Sequence, residues 1–180
     1  MKWMIASDIH GSATCCRQLL DRFQIEGAER LILMGDLLYH GPRNPLPDGY
    51  DPKAVFTMLN GIKDVITAVR GNCDAPVDQW VLDFPMMVDH RLLHLGERAV
   101  FLTHGDKWNP DAPPTLPRGS ILVNGHVHLA AAEDKGDYFY LNPGSPALPH
   151  DDFRGYLLLT EQGAALKTLA GETVREQSFQ

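Results

Sequence analysis

Five short apolar runs in this chain each stop at residues able to bind a metal ion. MKWMIAS is followed by Asp8 and His10, LILM by Gly35-Asp36, and VITAVR by Gly71-Asn72. VFLT is followed by His104-Gly105, and ILVN by Gly125-His126-Val127-His128. Short apolar runs bounded by turn residues are the pattern of buried strands. Groups placed outside the carboxyl ends of strands in an α/β sheet share one crevice. The repetition therefore asks for a fold that gathers five strand ends around one site.

Taken singly, these endings are weak. Asp, Asn and Gly after a strand are ordinary turn formers. Asp8 and His10 stand two apart, so in extended backbone they point to the same side and can grip one ion together. His126 and His128 repeat that spacing with two imidazoles, a more telling pair. Of the eight histidines, His10, His104, His126 and His128 lie in these blocks, whereas His40, His90, His94 and His150 do not.

The pattern between the blocks sets the architecture. Residues 2–7, 31–34 and 65–69 read as strands. Residues 13–26 read as an amphipathic helix with Leu19, Leu20 and Phe23 on one face. Asp51-Pro52 opens a second helix as N-cap and first-turn proline, running to about Ile62. Alternation of this kind predicts parallel strands joined by crossover helices. Later the chain turns to β-hairpins: 86–95 with 98–103, 130–134 with 138–141, and 155–160 with 164–169. The expected fold is α/β, a sandwich of two mixed β-sheets flanked by helices, forming a single domain over residues 1–180. Two Pro-rich stretches, 41–49 and 109–117, follow motif residues and are placed to contact substrate.

Composition narrows the function classes. With 180 residues, 44% apolar and 22% charged, the chain is an ordinary globular protein large enough for a real core. A formal charge of −7 argues against coating nucleic acid, since that affinity comes from Lys and Arg. No run approaches the roughly 20 apolar residues of a membrane span. The first motif begins at once, leaving no room for a cleavable signal. Three cysteines, two of them adjacent, make no disulfide framework, and a cytoplasmic location is expected.

The ordered blocks Asp8-x-His10, Gly35-Asp36, Gly71-Asn72, His104-Gly105 and Gly125-His126-x-His128 resemble those of the calcineurin-like metallophosphoesterase superfamily. More narrowly, His40-Gly41-Pro42-Arg43-Asn44, Asn72-Cys73-Asp74 and Asn142-Pro143-Gly144-Ser145 resemble the small bacterial YfcE-type phosphodiesterases. The resemblance implies an αββα sandwich and a site with two divalent ions. Asp8, His10 and His128 would hold the first, Asn72, His104 and His126 the second, and Asp36 would bridge them. Two divalent ions against two carboxylates leave about two net positive charges to draw a phosphate in. The implied reaction is phosphodiester hydrolysis by attack of a metal-bridging hydroxide. The donors, oxygen and imidazole without thiolate, suit Mn²⁺, Fe²⁺ or Zn²⁺. The resemblance favours Mn²⁺, with Mg²⁺ a further occupant. It also implies a small-molecule phosphodiester substrate and a homo-oligomer.

Cys73 departs from the broader superfamily, where many members carry a histidine that protonates the leaving oxygen. A buried thiol is a poor general acid, so aryl oxides should leave readily and alkoxides slowly. His40 is a candidate replacement acid and Arg43 a candidate phosphate contact. Asp74 reads as orienting a neighbour rather than binding metal, and Asn142–Ser145 as a tight turn backing the site. Competing readings are a phosphomonoesterase, a nuclease of the same superfamily, and a metal-poor, Vps29-like protein-interaction scaffold.

Overall fold

The computed structural model describes Met1–Gln180. The strands are β1 (Lys2–Ala6), β2 (Arg30–Leu33), β3 (Ile66–Ala68), β4 (His90–Leu95), β5 (Arg98–Thr103) and β6 (Ser120–Val123). They continue as β7 (Ala130–Asp134), β8 (Tyr138–Pro143), β9 (Gly155–Thr160), β10 (Gly163–Thr168) and β11 (Thr173–Ser178). The helices are α1 (Ala13–Glu26) and α2 (Pro52–Asn60).

Helix α1 starts at Ser12, whose hydroxyl accepts from the Cys15 N–H, and ends at Gly27 in the left-handed region, φ 60°. Asp51 caps α2 through the Ala54 N–H, and Pro52 needs no partner for a missing donor. These are the ends expected from sequence, within two residues.

Both sheets are mixed. One runs β11-β10-β9-β1-β2-β3 and the other β4-β5-β6-β8-β7. The crossovers pair β1 with β2 and β2 with β3 in parallel, and β5 lies parallel to β6. All three expected hairpins form. The inward faces meet in one apolar layer, with Ile5, Ile32 and Leu157 of the first sheet against Val100, Ile121 and Leu141 of the second. The other face of the first sheet packs Met4, Leu31 and Leu33 against Leu19, Val55 and Leu59 of the helices.

The two-sheet sandwich is therefore as expected, but its helical flank lies on one side. Over Phe101, Leu122 and Tyr140 of the second sheet lie Trp108 and Leu116 from a loop. Prolines 110, 113, 114 and 117 keep that segment from becoming a helix. The hairpin strand expected from residue 86 begins at His90, and β11 is a strand with no counterpart in the sequence reading. No helix is long and apolar enough to cross a membrane.

Candidate metal centre

The carboxyl ends of β1, β2, β3, β5 and β6 meet at one edge of the sandwich. Each chain segment turns sharply there. Asp8, His10, Asp36, His126 and His128 are the non-glycine residues with positive φ, between 48° and 68°. Left-handed backbone costs an L-residue roughly 1–2 kcal/mol, and strain of this kind gathers at functional sites. All five belong to the expected ligand set.

Backbone carbonyls then aim the imidazoles. Nδ1 of His10 donates to Tyr39 O at 2.8 Å, Nδ1 of His104 to Met34 O at 2.7 Å, and Nδ1 of His128 to Leu148 O at 2.6 Å. A carbonyl can only accept, so the proton sits on Nδ1 and Nε2 is left as the ligand atom. The three Nε2 atoms converge. His10 Nε2 lies 3.1 Å from His128 Nε2, and His104 Nε2 lies 3.0 Å from Asn72 Oδ1. Facing acceptors at such separations call for a cation among them.

The carboxylates are split between anchoring and binding. Asp8 Oδ2 accepts from the Ser7 hydroxyl and from the His126 N–H, leaving Oδ1 at 3.2 Å from His128 Nε2. Asp36 Oδ1 accepts from the Cys73 N–H, while Oδ2 lies 3.7 Å from His10 Nε2 and 3.5 Å from His104 Nε2. Asp36 thus stands between the two histidine clusters. Ligand atoms of Asp8, His10 and His128 lie within 4.8 Å of one another, as do those of Asp8, Asp36 and His104. The His126 ring sits beside that of His104, centroids 5.1 Å apart. Hard oxygens and imidazoles in this arrangement fit divalent first-row ions.

The charge balance agrees. Burial disfavours a charged His104, yet contact with Asp36 and the charges of Asp8 and Asp36 outweigh it and push its pKa up to about 9. His10 is raised in the same way by Asp8. The carboxylates attract positive charge strongly enough to overcome desolvation.

Asp74, buried, accepts from the backbone N–H groups of Asp36, Leu37 and Gly71 at 2.8, 2.9 and 2.7 Å. It ties the β2 and β3 loops together, the orienting role read from sequence. Asn142–Ser145 likewise backs the site: Asn142 donates to Gly125 O, and the Ser145 hydroxyl donates to Asp8 O.

A cleft of about 330 Å³ opens over the centre, walled by His10, Asp36, Arg43, Asn72, Cys73, His126, His128 and His150 among others. A larger cavity, about 600 Å³, lies at the amino ends of β5 and β6, but Glu97, Arg98, Arg118 and Glu161 there form no convergent ligand set. Arg43 reaches the cleft free of a carboxylate partner; the arginines that have one are Arg70 and Arg118. Burial first, then Asp36 and Asp74, push the Cys73 thiol up to about 12. Of the three candidates outside the ligand set, Arg43 and Cys73 wall the cleft and His40 does not. Its ring is wedged against Tyr39 and Tyr50, at centroid separations of 4.8 and 5.2 Å. His150 was missed in the sequence because no strand signal precedes it.

Fold and centre together define a two-sheet sandwich with a histidine–carboxylate cluster at its strand ends that could hold metal. Residues 1–164 match the calcineurin-like phosphoesterase superfamily domain. The chain is 46% identical over 149 residues to the phosphodiesterase YfcE of Escherichia coli K12, covering 83% of this chain and 81% of that protein. The solved structure of YfcE, a phosphoesterase from E. coli, superposes with a TM-score of 0.97 and 39% identity over 100% of both chains. Vps29 from Entamoeba histolytica, complexed with Zn²⁺, shares the fold at a TM-score of 0.62 and 17% identity, again over 100% of both chains. The chain belongs to the calcineurin-like phosphoesterase superfamily.

Proposed function

We infer that the protein is a dinuclear metal-dependent phosphodiesterase, with Asp8, His10 and His128 holding one ion, Asn72, His104 and His126 the other, and Asp36 shared. The observation that carries this reading is the convergence of three Nε2 atoms, each fixed by a backbone carbonyl, on Asp36 and Asp8. The likeness to a phosphodiesterase over most of the chain supports it. A bound pair of divalent ions, Mn²⁺ preferred, would supply Lewis acidity and a water made nucleophilic near neutral pH.

The chain's own residues do the rest. Asp36 and Asp8 set the charge of the centre, and the loops bonded through Asp74 hold their carboxylates in place. Arg43 offers a guanidinium to a non-bridging phosphate oxygen. Cys73 keeps its proton too tightly to assist departure of a basic alkoxide, so aryl esters are the better substrates.

The test is hydrolysis of bis(p-nitrophenyl) phosphate with added Mn²⁺ by the wild type and by Asp36→Asn, with elemental analysis of both. Two metals per wild-type chain and a rate at least a hundredfold above that of the variant are expected. Equal rates, or a wild type that takes up no metal, would return the chain to the scaffold reading.

A further inference from the structure

We propose that His150 is a specificity-determining residue, presenting a hydrogen-bond acceptor to a hydroxyl group on an ester arm of the substrate. The proposal rests on the phosphodiesterase reading and narrows its substrate class to diesters whose arm retained on phosphorus bears hydroxyl groups.

Four imidazoles wall the cleft, and three of them belong to the ligand set. The fourth, His150, is held by the ligand loop itself. Its backbone N–H donates to His128 O at 3.0 Å, and its Nδ1 donates to Val127 O at 2.9 Å. His128 returns a bond from Nδ1 to Leu148 O. Leu148 N–H in turn donates to the Ser145 hydroxyl, which donates to Asp8 O. The segment 145–150 is thus bolted to both ligand strands, and the His150 ring lies 4.9 Å from that of His128.

Because Val127 O takes the proton on Nδ1, neutral His150 carries its lone pair on Nε2, which has no partner within the chain. An acceptor so placed recognises an O–H and gives nothing to a hydrocarbon. Pro42 and Cys73 are the only apolar side chains among the eleven wall residues, and the other side chains there favour a polar arm over an alkyl one. Arg43 in the same wall supplies the complementary donor. A polyol-type arm, polar and without charge of its own, fits both.

The experiment compares glycerol 3-phosphate with propyl phosphate. Their binding to Mn²⁺-loaded protein is measured by calorimetry and as inhibition of bis(p-nitrophenyl) phosphate hydrolysis. The proteins are the wild type, His150→Gln, whose amide oxygen can accept in place of Nε2, and His150→Leu. One hydrogen bond in a partly exposed cleft gives about threefold to tenfold preference. Wild type and His150→Gln should favour glycerol 3-phosphate by that factor and His150→Leu should not, with metal content equal in all three. No preference in the wild type, a preference that survives in His150→Leu, or one lost only along with bound metal would overturn the assignment. A wild type that hydrolyses the aryl diester without preference sinks this inference alone; one that hydrolyses nothing sinks the phosphodiesterase reading beneath it.

Discussion

Asp74→Ala removes the clamp between two ligand loops and should destabilise the protein as well as its metal site. The carboxylate accepts three buried N–H groups, from Asp36, Leu37 and Gly71. Alanine leaves them unpaired, at about 1–3 kcal/mol for each buried donor and about 3–9 kcal/mol in all. Burial and then the charge of Asp36 push the Asp74 carboxyl from 3.8 to about 6 although the three bonds pull it down. With those bonds made, its charge at neutral pH still costs about 3 kcal/mol, which alanine recovers. The net loss centres on about 3 kcal/mol, a large share of the roughly 5–15 kcal/mol that holds a domain folded. Asp74→Asn separates the terms. Its amide oxygen can keep the Asp36 and Gly71 bonds while its NH₂ opposes Leu37 N–H, and the buried charge is gone, leaving a loss of about 0–2 kcal/mol. Urea unfolding of chelator-treated protein at pH 7 should rank wild type, Asn, Ala, and Mn²⁺ affinity should fall in that order. An alanine variant within 0.5 kcal/mol of wild type at unchanged m-value, or one binding Mn²⁺ as tightly, would refute the clamp.

Other perturbations probe separate parts of the structure. In Gly125→Ala the new methyl overlaps Ser7 Oγ and stands 2.7 Å from Asp8 Oδ2. A loss of about 1–3 kcal/mol with weakened metal uptake is expected, and unchanged unfolding and metal content would contradict it. Glu26 accepts from Tyr156 and pairs with Lys167 at 2.6 Å; burial raises its pKa, but these partners outweigh burial and hold it below the usual value of 4.5. A carboxyl depressed on folding stabilises above its unfolded pKa and loses that contribution as pH falls through the folded one. Glu26→Gln should therefore cost about 1–3 kcal/mol at pH 7 and much less near pH 3, whereas a penalty independent of pH would contradict the pairing. Since His104 is raised to about 9, metal binding at pH 7.5 must displace a proton. Calorimetry of Mn²⁺ binding in buffers of different ionisation enthalpy should show release of at least one proton per chain, and heats independent of buffer would refute it.

What the sequence revealed and what it hid have the same physical origin. Strands β1, β2, β5 and β6 are apolar almost throughout and end in residues that tolerate left-handed backbone, so their ends could be placed to within two residues. Strand β11, TVREQS, is mostly exposed and joins the sheet through backbone bonds to β10, so no apolar periodicity marks it. The missing second helical layer was concealed differently. The 109–117 stretch reads correctly as a loop, but that Trp108 and Leu116 beside it would cover a sheet face depends on contacts distant in sequence.

The site divides along the same line. Candidate ligands that follow their own strand could be located from sequence, while His150 reaches the cleft only because β8 returns the chain beneath Asp8, where Ser145 and Leu148 attach it. The five left-handed candidate ligands connect the two cases. Their strain, roughly 1–2 kcal/mol apiece, persists only where neighbouring bonds over-determine the turn. Here Asp8 N–H donates to Gly35 O, His10 N–H to Asp36 O, and Gly125 N–H to His104 O. Each ligand loop is thus bonded to another ligand loop, and the strain is offset by contacts that exist only once the strand ends are assembled. The ligand types are local properties of the sequence, whereas their aim is a property of the assembled edge.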